Sequence, residues 1–125
     1  MVEVSAGWRL DVDVSPEWLF FRLAKEWPDA GPTPPVAAQV WSAAEQHAIY
    51  RLVIELDDRL LLSSYLVGQL ILLRKRAHQQ GGVMRLCGLA EAQYEVIRIM
   101  RLGPLLPNYP TRGDAVMGHQ PTQPR

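Results

Sequence analysis

A chain of 125 residues suffices for one ordinary domain with a real core. Its 48% apolar content excludes a disordered chain, and 13 basic residues balanced by 13 acidic ones exclude the broad positive excess that nucleic-acid binding normally requires. Cys87 is the single cysteine, which excludes an intramolecular disulfide and a thiolate metal cluster. No basic segment followed by an apolar one opens the chain. No apolar run reaches the ~18–20 residues of a membrane span; Asp57, Asp58 and Arg59 interrupt the longest candidate. The expectation is a soluble, cytoplasmic protein with no membrane insertion and no direct nucleic-acid contact.

In chain order, Trp8 to Val14 alternates strictly between apolar and polar, the period of a strand with one wet face near a sheet edge. Ser15-Pro16-Glu17 makes a turn, and the aromatic-rich Trp18 to Leu23 suits a more buried strand, antiparallel to the first. Ala24 to Pro35 holds four of the ten prolines and reads as a loop, with Trp27 its most surface-active residue. Thr33 then Pro34 signals a helix start, and the helix runs to about Ala48 with Val36, Val40, Ala44 and His47 or Ala48 on one face. Arg51 to Leu56 is nearly all apolar, as in a central strand covered by helices. Asp57-Asp58 at its end reads as a solvated turn; as a Mg²⁺ or acid–base site it lacks any completing residue.

The helix that opens on Ser63-Ser64 places Leu66, Leu70, Leu73 and Ala77 on one face at ~100° per residue, and Tyr65, Gly68, Leu72 and Arg76 opposite. Arg74, Lys75 and Arg76 crowd its C-terminal end, where cations suit the helix dipole, and Gly81-Gly82 stops it. Val83 to Cys87 is the next strand, with Cys87 a core residue. A helix follows from about Ala90 to Leu102, with Leu89, Ala92, Val96 and Met100 on one face. Leu105-Leu106 is a short last strand and Thr111 to Met117 a terminal helix. The fold class is α/β, a single domain over 1–118 with a flexible tail over 119–125. Its mixed four- to five-stranded sheet has the order β-β-α-β-α-β-α-β(-α), with parallel strands in the second half.

These elements carry a resemblance. From Leu52 to about Tyr109 the chain resembles the STAS domain, named for sulfate transporters and anti-sigma factor antagonists. That family's core reads Asp-Ser-Ser-Gly-Leu-Gly at the start of its second helix, which ends in Gly-Gly. Gly68 and Gly81-Gly82 match this spacing without a gap, Leu86-Cys87-Gly88-Leu89 is similar to the strand-to-helix turn, and Met100 to Tyr109 to the last helix end and strand. The register sets Ser63 where the family has Asp and Ser64 at the residue phosphorylated in anti-sigma factor antagonists; Tyr65 replaces the second serine and Leu66 the glycine.

The resemblance implies a STAS-like fold and a protein-interaction module without catalysis of its own and without a cofactor. Ser64 would be its phosphoacceptor, and Ser63, Tyr65, Gly68, Leu72 and Arg76 its partner-binding face, Ser63 also capping the helix. The implied partners are a GHKL-type serine kinase acting as anti-sigma factor and a PP2C-type phosphatase, with a homodimer left open. The alternative is a phosphorylation-independent scaffold or regulatory subunit, in a signalling assembly or on an ABC-type lipid transporter. His47, His78 and His119 have no metal-ligand spacing.

Overall fold

The computed structural model describes residues 2–5, 7–27 and 30–118, with residues 2–5 described in backbone only. The elements are β1 Val2–Ser5, β2 Trp8–Val14, β3 Leu19–Lys25, α1 Val36–His47, β4 Arg51–Leu56, α2 Ser64–Gln79, β5 Val83–Cys87, α3 Glu91–Ile99, β6 Asn108–Tyr109 and α4 Arg112–Met117. The strands lie side by side in chain order, β1-β2-β3-β4-β5-β6. β1, β2 and β3 pair antiparallel; β3 through β6 pair parallel, each parallel step crossing through a helix. The expected order is therefore present, with one strand added in front: β2 is paired on both sides rather than standing at the edge. The expected tail, 119–125, lies outside the described residues.

Strand alternation divides the sheet into two unlike faces. On the inner face Trp8, Leu10, Leu19, Phe21, Leu23, Leu52, Ile54, Leu56, Met84 and Leu86 meet the buried stripes of α1, α2 and α3 in one core. On the outer face α4 covers a smaller cluster of Trp18, Val53, Cys87, Tyr109 and Ala115. Cys87 is 1% exposed, and its burial pushes the thiol pKa up to about 11, so it is a core residue rather than a nucleophile.

The stripe of α2 follows its sequence period: Leu66, Leu70, Leu73 and Ala77 are all fully buried. Behind them Gly82 closes the turn into β5, because a Cβ there would run into the Tyr50 carbonyl. In α1 the residues Val36, Val40 and Ala44 are buried, whereas His47 and Ala48 are exposed. The helix begins after Pro35 and takes no cap from Thr33. Two prolines in a row keep the chain extended until Val36, and the Gln69 Oε1 of α2 accepts the Ala37 N–H at 2.9 Å instead.

Two expectations need correction. α3 buries Gln93 and Ile97, while Ala92 and Met100 are exposed and Val96 is half-buried. The helix also ends at Ile99, because Arg101 turns left-handed (φ 62°) and the Leu102 N–H bonds back to the Ile97 carbonyl at 3.0 Å. Leu105-Leu106 is not a strand. It belongs to the turn after α3, where the Leu106 N–H bonds to the Leu102 carbonyl and its side chain is buried; the last strand starts two residues later.

Candidate functional site

The parallel strands end along one edge of the sheet, and the β4–α2 loop leaves from there. It descends from a central strand, so its start is held by the sheet itself: the Asp57 N–H bonds to the Leu23 carbonyl of β3 at 3.0 Å. Asp57 is the pivot of this loop and is only 4% exposed, not a residue of a solvated turn. Its carboxylate accepts the Arg59 N–H at 2.9 Å, pairs with the Arg59 guanidinium at 3.1 Å, and meets Arg22 Nη2 at 3.4 Å. The hydrogen bonds from Arg59, aided by the charge of Arg22, hold its pKa well below the usual carboxylate range. Asp58 beside it is exposed and makes no direct ion pair among the described residues, adding only its charge near Arg59. Among the described residues no group of three or more His, Cys, Asp or Glu side chains could hold a metal ion.

Next the chain alternates sharply in burial. Leu60 is 2% exposed, Leu61 90% and Leu62 8%, so two leucines anchor the loop while the middle one projects into water. With Lys25, Glu26, Trp27 and Arg59 it lines a recess of about 260 Å³. Trp27, in the proline-rich loop, is exposed as the sequence implied. A separate polar recess of about 460 Å³, lined by Glu17, Tyr50, Arg51 and Gln80 among others, opens at the opposite strand ends.

Ser63 then caps α2, its hydroxyl oxygen accepting the Leu66 N–H at 3.1 Å, an arrangement worth about 1 kcal/mol over alanine. Ser64 is the first helical residue; it is exposed, and its hydroxyl makes no hydrogen bond among the described residues. The first turn of α2 has no acidic side chain. The two serines are thus divided in role: one hydroxyl closes the helix end, and its neighbour stands free at the positive pole of a 16-residue helix.

The outward face of α2 continues from there. Tyr65, Gly68 and Leu72 are exposed and Arg76 is half-buried, so the structure brings these expected residues onto one helix face with Ser64 at its upper end. A Cβ built on Gly68 would meet nothing within 4 Å. No packing inside the molecule asks for glycine here, although glycine in a helix interior costs about 0.5–1 kcal/mol relative to alanine. Arg74, Lys75 and Arg76 pair with no carboxylate among the described residues, and α2 itself contains no Asp or Glu.

Sequence reasoning missed three residues of this edge: Asp57 as an anchor, Leu61 as a projecting apolar side chain, and Gln93, which holds the loop from α3. For Leu61 a signal existed, since three leucines in a loop cannot all face inward. For Asp57 the decisive partner, Arg22, lies on another strand.

No curated protein matches the chain. Among solved structures it is similar to TM1081 of Thermotoga maritima, a putative anti-sigma factor antagonist, with TM-score 0.68, 14% identity and 85% of this chain on 84% of that one. It is similar to a STAS domain protein from Planctomyces limnophilus, described as an anti-sigma factor antagonist, with TM-score 0.64, 20% identity and 87% of this chain on 96% of that one. It is also similar to the anti-sigma factor antagonist SpoIIAA in its unphosphorylated form, with TM-score 0.61, 20% identity and 89% of this chain on 98% of that one. These likenesses agree on the fold, and the model of the STAS domain matches residues 9–115, from the second residue of β2 to Ala115 of α4. The chain belongs to the STAS domain family.

Proposed function

We propose that the protein is a non-enzymatic interaction module of the anti-sigma factor antagonist kind, whose partner docks on α2 and is switched by phosphorylation of Ser64. The observation that carries this reading is the division between the two serines: Ser63 is spent on the cap, and Ser64 is exposed with a free hydroxyl. A phosphoryl group there brings about −1.5 to −2 charges, which the N-terminal end of α2 tolerates within the domain. A partner packed over Tyr65, Gly68 and Leu72 does not tolerate it, because the added group must be desolvated under the contact. The switch needs no refolding. By family, the partner is a GHKL-type serine kinase serving as anti-sigma factor, with a PP2C-type phosphatase to reverse it.

The test is incubation with the kinase of the native host and ATP, followed by intact mass and site mapping. One added phosphate on wild type, absent from Ser64→Ala, supports the switch; a phosphate elsewhere with Ser64 untouched overturns it. A phosphorylation-independent subunit is the second reading, favoured by the absence of any carboxylate in the first turn of α2 to orient the acceptor hydroxyl. A Ser64→Ala variant that keeps full function in cells decides for it.

A further inference from the structure

The loop that presents the serines is held by a buried side chain of α3. Gln93 on α3 is 6% exposed and points to the same core as Ile97 one turn later. Its Nε2 donates one proton to the Asp57 carbonyl and the other to the Leu60 carbonyl, both at 2.8 Å. Its Oε1 accepts the Ala90 N–H, also at 2.8 Å. One buried amide thus spans the two ends of the turn and the first turn of its own helix.

An apolar side chain suits a core-facing helical position better than an amide, which must recover its desolvation cost through hydrogen bonds. Gln93 recovers it on two loop carbonyls. That of Leu60 has no other donor among the described residues, while that of Asp57 also accepts the Leu60 N–H at 3.0 Å. The turn is gripped on its other side too, by Arg22 and Arg59 on the Asp57 carboxylate. Beside the packing of Leu60 and Leu62 in the core, the hydrogen bonds from α3 to this turn among the described residues come from Gln93.

We propose that Gln93 is the positioning residue of the serine loop: its amide sets the path from Asp57 to Leu62, and so the placement of Ser63 and Ser64, and ties that placement to α3. The use of Ser64 as acceptor rests on the function proposed above; the clamp does not.

Amide hydrogen exchange of the full chain tests it without a kinase, so the result is independent of whether Ser64 takes phosphate. The readouts are the Arg59 and Leu60 amides, with those of Ile54 and Leu70 as core references. Gln93→Glu at neutral pH turns a two-proton donor into an acceptor facing two carbonyls; Arg59 and Leu60 exchange at least about tenfold faster, and the references do not change. Near about pH 5, after correction for intrinsic exchange, part of the protection returns, because burial raises the introduced carboxyl's pKa and its protonated form donates again. Gln93→Leu accelerates the same two amides at both pH values with no recovery. Equal acceleration at Ile54 and Leu70, no acceleration at the loop, absence of pH recovery in Gln93→Glu, or failure of both variants to fold overturns the proposal, since Gln93 then serves the fold as a whole or nothing.

Discussion

The charged part of the outer sheet face, beside the apolar cluster that α4 covers, and the outward face of α2 both reach water, yet they handle charge in opposite ways. On the sheet, strand register sets Asp11 opposite Arg22 and Arg22 opposite Glu55. Ion pairs then run from Arg112 on α4 to Glu55 and Asp13, from Arg22 to Glu55 and Asp57, and from Arg59 to Asp57. Arg22, Arg59 and Arg112 each find an anion within the domain, and Arg85 instead donates to the Ala115 carbonyl of α4 at 2.7 Å. On α2 three consecutive cations find none among the described residues, beside an exposed tyrosine, an exposed leucine and a glycine with empty space above it. The sheet face is internally satisfied, as a surface that must only remain in water requires. The α2 face leaves apolar area, space above a glycine and three cations without a partner among the described residues, and that difference supports its proposed use as a docking surface.

The sharpest way to break this comparison is to remove the anion on which the sheet network and the serine loop converge. Asp57→Asn leaves Arg22 and Arg59 facing a neutral group. Buried pairs broken from one side cost about 3–5 kcal/mol. Both guanidiniums here keep contact with water, so a loss of about 2 kcal/mol is expected in urea unfolding. The pH dependence has a definite sign. The folded pKa of Asp57 lies below its unfolded value, so its contribution is complete above the unfolded carboxylate value of about 3.9 and is lost as pH falls from there through the folded pKa. Wild type should therefore lose its advantage over Asp57→Asn as pH drops below about 4, and an advantage unchanged down to about pH 2 would show that the pairing contributes nothing.

That convergence also marks where sequence ceased to be readable. The core stripe of α2 and the alternation of β2 follow from residue spacing alone, because each period has one consistent solution. α3 has two candidate faces, and the apolar one, through Ala92 and Met100, was misleading because the buried position is taken by Gln93, a side chain whose partners lie 33 and 36 residues away. Asp57 likewise looks like a turn residue until β3 is laid beside β4 and brings Arg22 within reach. Leu105-Leu106 has the composition of a strand but forms a turn, since the left-handed Arg101 redirects the chain before it. Local periodicity was legible; what depended on strands meeting was not. Ser63 and Ser64 are intermediate: a cap is a local motif, and the free neighbour follows from it.

Gly68 sharpens the comparison from the other side. If the space above it belonged to internal packing, adding a methyl group would cost stability. With nothing within 4 Å of the added Cβ, Gly68→Ala should instead stabilise the fold by about 0.5–1 kcal/mol, read as a higher midpoint in chemical denaturation. The same substitution should weaken partner binding, and Gly68→Leu should weaken it further while leaving the fold intact. Destabilisation by Gly68→Ala would place the glycine among the structural residues and remove it from the proposed docking face.

The smallest effect on stability is expected where the charges are unpaired. Lys75→Ala and Arg76→Ala break no ion pair among the described residues, so each should change unfolding free energy by less than about 0.5 kcal/mol. Their effect belongs to association. Unpaired cations beside an apolar docking strip steer an oppositely charged partner, which raises the rate of encounter more than it slows release. For the proposed partner, the double variant should therefore lower kon and flatten its dependence on salt, with koff nearly unchanged, as surface plasmon resonance at several ionic strengths would read. A change confined to koff would mean the cations make close contacts in the complex. An unchanged kon and koff would reduce them to compensation of the helix dipole, and leave Tyr65, Gly68 and Leu72 to carry the face alone.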